Sequence, residues 1–254
     1  MEQLETWFSN NDLTINTSKT VAMSFHLSHS KPTFKPHILL QNKNIEYKIE
    51  VKFLGLYIIE NLNWRAHICY LCDSLSKNIC VIKSVKNIFS SHVLWNIYFA
   101  YFHSRLRYGI ILWRGGAKES VKALRIQKKL IRLITGLKRF ESCRQKFKDN
   151  RILTFTSMYI LEVLCFMKKH KGDLKKNCEI HKHNTRSKYD LHTQPHNTSL
   201  LQKSVLHMGV RLYKHLPLRI KNLDKYNQFK KEVKSILLNN TIYTLEENLQ
   251  AVLD

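Results

Sequence analysis

The chain has 254 residues, 44% of them hydrophobic and 11% aromatic. It is therefore long enough and apolar enough for a substantial core, and it is not a disordered chain. Forty-two Lys and Arg stand against 19 Asp and Glu, a net charge of +23 that points to a polyanionic partner, most often nucleic acid.

Seven Gly and four Pro argue for long helices and few tight turns. The six Cys do not form a disulfide-scaffold pattern. The first eleven residues are polar and acidic, unlike a secretory leader. Residues 93–102 and 152–167 are the most apolar stretches. The first is short and runs into His103, Arg105 and Arg107, and the second contains Glu162. Both read as buried helices and not as membrane spans. The expected location is intracellular, in nucleus or cytoplasm, with no membrane partner.

In chain order, residues 1–11 read as the end of a helix. Residues 20–26 (TVAMSFH) alternate Val21, Met23 and Phe25 and predict a strand. Residues 37–40 and 45–47, separated by 41–44, predict a hairpin. Residues 51–59 predict a longer strand, interrupted by Gly55 at a bulge or close backbone approach. Helical period follows. Trp64, Ile68, Leu71, Leu75, Ile79 and Ile82 form one apolar face. Further helices are expected at 91–113, 119–137, 153–169, 200–216 and 227–238, with 171–195 as a polar linker or extended arm.

Charge follows the same division. Residues 1–60 carry six basic and six acidic side chains, residues 61–240 carry 36 and 10, and the tail from 241 carries only acids. The densest feature is the helix at 119–137. Lys118, Lys122, Arg125, Lys129 and Arg132 recur at spacings of four and three and make a basic stripe, which Lys128, Lys138 and Arg139 extend. Solvated faces usually mix both signs, and this one does not. A rod of cations suits a phosphate backbone. Ile126, Leu130, Leu133 and Leu137 are expected to form a separate docking face.

Metal and catalytic patterns are sparse. Cys69 and Cys72 form a C-x-x-C with His67 before it and Cys80 after it, but Cys72 falls on the apolar helix face and no second ligand pair is apparent. Cys178, His181, His183, His192 and His196 sit in the polar stretch at a spacing that matches no common zinc finger. Clustered carboxylates for Mg²⁺, a glycine-rich phosphate loop and a nucleophile elbow are not apparent.

Several segments together resemble the C-terminal part of a reverse transcriptase of the non-LTR (LINE-like, jockey-type) retrotransposons. These are Trp7-Phe8-Ser9-Asn10-Asn11-Asp12-Leu13-Thr14-Ile15-Asn16 with Lys19-Thr20, then Lys52-Phe53-Leu54-Gly55, then Leu62-Asn63-Trp64 with His67-Ile68. Ser104-x-Leu106-x-Tyr108-Gly109 with Trp113, and Gln127-Lys128-Lys129 with Arg132, continue the series. His183-Asn184-Thr185-Arg186 and Leu212-Tyr213-x-x-Leu216-Pro217 close it. Their order and spacing carry the resemblance.

The resemblance implies an α+β, mostly α fold. Residues 1–62 would be the end of a palm with a small antiparallel sheet, 63–140 a helical thumb, 141–196 a helix plus basic linker, and 197–254 a C-terminal helical region with an acidic tail. It implies that Lys19 matches a palm lysine acting as general acid on the leaving pyrophosphate, against the plainer reading of a surface lysine. Phe53, Leu54 and Gly55 match a primer grip, against a buried strand with a bulge. Trp64 and Trp113 read as core anchors ahead of base-stacking platforms.

The expected partners are RNA and an RNA–DNA hybrid, together with a missing N-terminal polymerase segment. The metal-binding aspartates of the family are not found in this chain. Mg²⁺ is expected only of a complete polymerase, no cofactor is expected here, and the chain alone is expected to be inactive. The alternatives are a co-opted RNA- or DNA-binding protein without enzymatic activity, and a basic protein that binds acidic proteins or membrane surfaces.

Overall fold

A computed structural model describes residues 2–27, 30, 34–115, 120–182 and 185–247. The chain is mostly helical with two small antiparallel sheets, and it divides into two compact units, 1–67 and 68–254.

In the first unit, α1 spans Glu2–Asn10, with Glu2 and Glu5 in the first turn where the helix dipole favours anions. Strands β1 (Leu39–Leu40) and β2 (Lys43–Asn44) pair antiparallel across Gln41 and Asn42. Both turn residues are left-handed, with φ of 49° and 59°, which is the primed geometry that matches strand twist. The backbone N–H of Gln41 donates to the Glu5 carboxylate at 2.8 Å and ties this hairpin to α1.

Strands β3 (Glu50–Phe53) and β4 (Leu56–Ile59) form a second hairpin around Leu54 (φ 46°) and Gly55 (φ 82°). The expected single strand over 51–59 is therefore two strands. Gly55 takes a left-handed turn position at no steric cost, and a reversal of only two residues leaves the apolar pattern looking continuous. Residues 20–26 do not form the expected strand. They are extended, with one parallel bridge, Ala22 to Tyr47, and a hydrogen bond from His26 N–H to the Glu60 carbonyl at 3.1 Å. The neighbouring segments are too short to offer a full ladder, and Phe25 remains 58% exposed. Leu40, Ile45 and Leu56 are the buried apolar side chains of this unit among the described residues.

Helix α2 (Arg65–Val85) buries Ile68, Leu71, Cys72, Leu75, Ile79 and Ile82, the face its spacing predicts. Trp64 precedes it and is half-buried. The expected helix at 91–113 is segmented into α3 (Ser91–Ile97), a π-helical stretch Tyr98–His103, α4 (Ser104–Arg107) and α5 (Ile110–Trp113). It breaks at Gly109, where φ is +60°. Helix α6 is Ser120–Thr135 and α7 is Arg144–Asp149.

Helix α8 (Phe155–Lys169) is the centre of the second unit, with 11 of its 15 residues buried. A helix apolar around most of its circumference is stable only when enclosed. It packs against α4, α5, α6, α11 (Val205–Lys214) and α13 (Tyr226–Asn240). Its N-cap is Thr154, whose hydroxyl accepts the Ser157 N–H at 3.0 Å. Among the described residues no helix is long and apolar enough to cross a membrane.

Short helices α9 (Asn177–Ile180), α10 (Ser199–Gln202) and α12 (Leu218–Lys221) complete the unit. Residues 171–195 are not an open linker. Lys176 bridges Leu191, the Asn177 side-chain amide donates to the Ser187 carbonyl at 2.8 Å, and Cys178 N–H donates to the Lys188 carbonyl at 2.8 Å. Hydrogen bonds around Asn177 close this loop, which is why it shows no apolar period.

Candidate nucleic-acid interface

Helix α6 contains no Asp or Glu. Lys122, Arg125 and Lys129 are exposed on one face, and Arg132, half-buried, continues the row. The Arg132 guanidinium donates twice to the Glu141 carbonyl, at 2.9 and 3.0 Å, so the loop after the helix holds it in place. Lys138 and Arg139 are exposed beyond the C-terminus, where the helix dipole favours cations. Phe140, 92% exposed, stands beside Arg139. Lys118 lies outside the described residues.

The opposite face of α6 is not the one expected. Ser120, Ala123, Gln127, Leu130 and Ile131 are the buried side chains, so of the expected set Leu130 is buried, whereas Ile126, Leu133 and Leu137 are only half-buried. The shift follows from Gln127, which is fully buried. Its amide nitrogen donates to the Tyr98 hydroxyl at 2.9 Å and the Leu153 carbonyl at 3.0 Å, and its oxygen accepts the Phe155 N–H at 2.7 Å. A polar side chain inside a basic-looking run carries no sequence signal of burial, and only its partners reveal it.

Lys128 belongs to a different environment from the stripe. Its ammonium lies 3.5 Å from the Tyr243 ring centroid, and Arg144 lies over the same ring at 4.6 Å. Burial, with Arg132 and Arg144 nearby, holds the Lys128 ammonium below the ordinary lysine range. Burial pushes the Tyr243 hydroxyl up to about 12. Glu247 completes this cluster. Its carboxylate pairs with Arg144 at 2.7 Å and accepts the Tyr243 N–H at 2.7 Å. Burial raises its pKa, but those two contacts outweigh burial and hold it below the ordinary carboxylate range.

Arg114 is likewise withdrawn from the surface. Its guanidinium lies over Phe155 and Tyr159, 5.4 and 5.3 Å from their centroids, and burial lowers its pKa. Trp113 is fully buried, stacked on Phe155 at 5.6 Å, and donates to the Tyr108 carbonyl at 3.0 Å. It is a core anchor.

In the first unit, Phe53, Leu54 and Gly55 form the tip of the β3–β4 hairpin, with Phe53 and Leu54 59% and 73% exposed. The buried-strand alternative does not hold there. Lys19 is exposed in a turn closed by Asn16.

Among the described residues no three His, Cys, Asp or Glu side chains converge to hold a metal ion. Cys72 is buried, and burial together with the neighbouring Cys69 pushes its thiol up to about 11. His181 and His192 pair at 5.2 Å between ring centroids, as do His196 and His207 at 4.4 Å. His183 lies outside the described residues.

The chain is similar to the retrovirus-related Pol polyprotein from type-1 retrotransposable element R1 of Bradysia coprophila, 41% identical over 59 residues. That match covers 22% of this chain and 6% of the polyprotein. No protein-family model matches, and no solved structure matches. The similarity supports a non-LTR retrotransposon origin.

Proposed function

We propose that the chain is a nucleic-acid-gripping piece of a non-LTR retrotransposon reverse transcriptase. In this reading residues 1–62 are the end of a palm, residues 63–140 act as a thumb, and α6 lies along the phosphate backbone of RNA or an RNA–DNA hybrid. One observation carries it. Lys122, Arg125, Lys129 and Arg132 share one face of an acid-free helix whose opposite face is anchored in the core by Gln127, Leu130 and Ile131.

Core anchoring matters because a grip needs cations on a rigid support. Lys and Arg at that spacing neutralise successive phosphates and release condensed counterions, and they read no base edges. Phe140 offers an exposed ring beside Arg139 for an unpaired base. The tip formed by Phe53, Leu54 and Gly55 would touch the primer end, where the glycine lets backbone approach a sugar-phosphate.

In this reading the chain supplies binding, and nucleotidyl transfer is not proposed for it.

The test is a salt titration of binding to a short RNA–DNA hybrid. The logarithm of the affinity should fall steeply with the logarithm of salt concentration. The triple variant Lys122→Ala, Arg125→Ala, Lys129→Ala should flatten that slope by about 0.9 for each phosphate it no longer neutralises. Unchanged affinity and slope in this variant would refute the reading. Primer extension by the purified chain with Mg²⁺ should be absent, and measurable incorporation would overturn that part.

A further inference from the structure

We propose that Glu247 is an internal competitor for nucleic acid: its carboxylate occupies a phosphate subsite built from Arg144, Lys128 and the backbone N–H of Tyr243, at the edge of the α6 stripe. The inference rests on the phosphate-gripping reading of α6 and deepens it.

The subsite is built by contacts far apart in the chain. The Thr154 hydroxyl donates to the Ile242 carbonyl, and the Thr156 hydroxyl donates to the Tyr243 carbonyl at 2.7 Å. Both threonines belong to the start of α8, so the segment after α13 is pinned to the centre of the second unit. This places the Tyr243 ring between Lys128 at 3.5 Å and Arg144 at 4.6 Å. The Tyr243 N–H and an Arg144 N–H then converge on the two oxygens of Glu247, each at 2.7 Å. A guanidinium N–H and a backbone N–H converging on two oxygens suit a phosphodiester as well as a carboxylate.

Charge says which anion the subsite favours. The Glu247 carboxylate meets two cations, Arg144 directly and Lys128 electrostatically, and Arg132 acts in turn on Lys128 and on Tyr243. Arg132 is the last residue of the stripe as well, so the subsite continues the row that Lys122, Arg125 and Lys129 begin. The Arg144 and Glu247 side chains are 48% and 36% exposed, and an ion pair that open to water is weak. A phosphate arriving with its neighbours already held on α6 displaces the carboxylate at little cost. Glu247 therefore lowers affinity modestly and favours backbones that can engage the stripe and the subsite together.

The experiment measures hybrid binding by the full chain against salt. Glu247→Gln should tighten binding by about fivefold, because no carboxylate then has to be displaced from the subsite. Glu246→Gln removes the same charge from an exposed neighbour and should change affinity by less than about twofold, as expected of a screened surface charge. Arg144→Gln should weaken binding, since it removes a subsite donor along with the partner of Glu247, and in its background the gain from Glu247→Gln should vanish.

Equal gains from the two glutamate variants, or a Glu247→Gln gain that persists without Arg144, would overturn the proposal. A measurement on the unmodified chain is independent of variant folding. Saturation with hybrid should increase hydrogen exchange over residues 244–247, and unchanged or reduced exchange there would equally overturn it. If the α6 triple variant loses affinity while the Glu247 variants are silent, the competitor falls and the α6 reading stands. If the triple variant binds as tightly as the parent, the α6 reading itself falls.

Discussion

The side-chain oxygen of Gln127 accepts the backbone N–H of Phe155 at 2.7 Å, so a residue in the middle of α6 satisfies the first turn of the central helix α8. The same amide holds the Tyr98 hydroxyl and the Leu153 carbonyl. One side chain thus joins α6, the π-helical stretch and α8, and it fixes which face of α6 looks outward.

That relationship predicts a stability effect separable from binding. Gln127→Leu leaves three buried polar groups without a partner, each costing about 1 kcal/mol or more. The expected loss is about 3 kcal/mol, read from chemical denaturation. A loss below about 1 kcal/mol would show that water replaces the amide.

Neighbouring lysines should behave differently. Lys129→Ala is expected to weaken hybrid binding and flatten the salt slope by about 0.9 with little change in stability. Lys128→Ala is expected to cost about 1 kcal/mol of stability because it removes the cation–π interaction with Tyr243, and to change the slope less. Identical effects of the two variants on slope and stability would contradict the separation of Lys128 from the stripe.

His103 supplies a pH dependence. Burial, then Arg107 and Lys234, lowers its pKa to about 4. Its imidazole is therefore neutral in the folded chain where the unfolded chain begins to protonate. A depressed folded pKa gives stability that is complete above the unfolded value near 6.5 and is lost as pH falls toward 4. Between pH 7 and pH 5 the loss from this group is about 2 kcal/mol. His103→Gln should reduce the acid sensitivity by that amount in denaturation curves at the two pH values. Parallel curves for parent and variant would remove His103 as the source.

The packing of α8 on α11 is equally specific. A Cβ on Gly209 would collide with the sulfur of Met167, which is fully buried. Gly209→Ala should cost about 1–3 kcal/mol by overpacking. Combined with Met167→Ala, it should cost less than the sum of the two single changes, because both act on the same space. Additive losses in the double variant would place the strain elsewhere.

The amino-acid sequence by itself determined what depends on local spacing. The apolar face of α2 from Ile68 to Ile82, the enclosed character of 152–167 and the row Lys122, Arg125, Lys129, Arg132 all follow from repeats of three and four residues, which an α-helix converts directly into faces. The tertiary structure decided what depends on partners distant in sequence. It turned the run 51–59 into a hairpin at Leu54 and Gly55, because strand pairing and not hydrophobicity defines a reversal. It buried Gln127 among hydrogen-bond partners 26 to 29 residues away. It also sorted equal-looking cations by environment, leaving Lys122, Arg125 and Lys129 in water while Lys128 and Arg114 lie on aromatic rings. Arg144 and Glu247 meet across 103 residues. Charge is written in the sequence, but desolvation and pairing are properties of the folded neighbourhood.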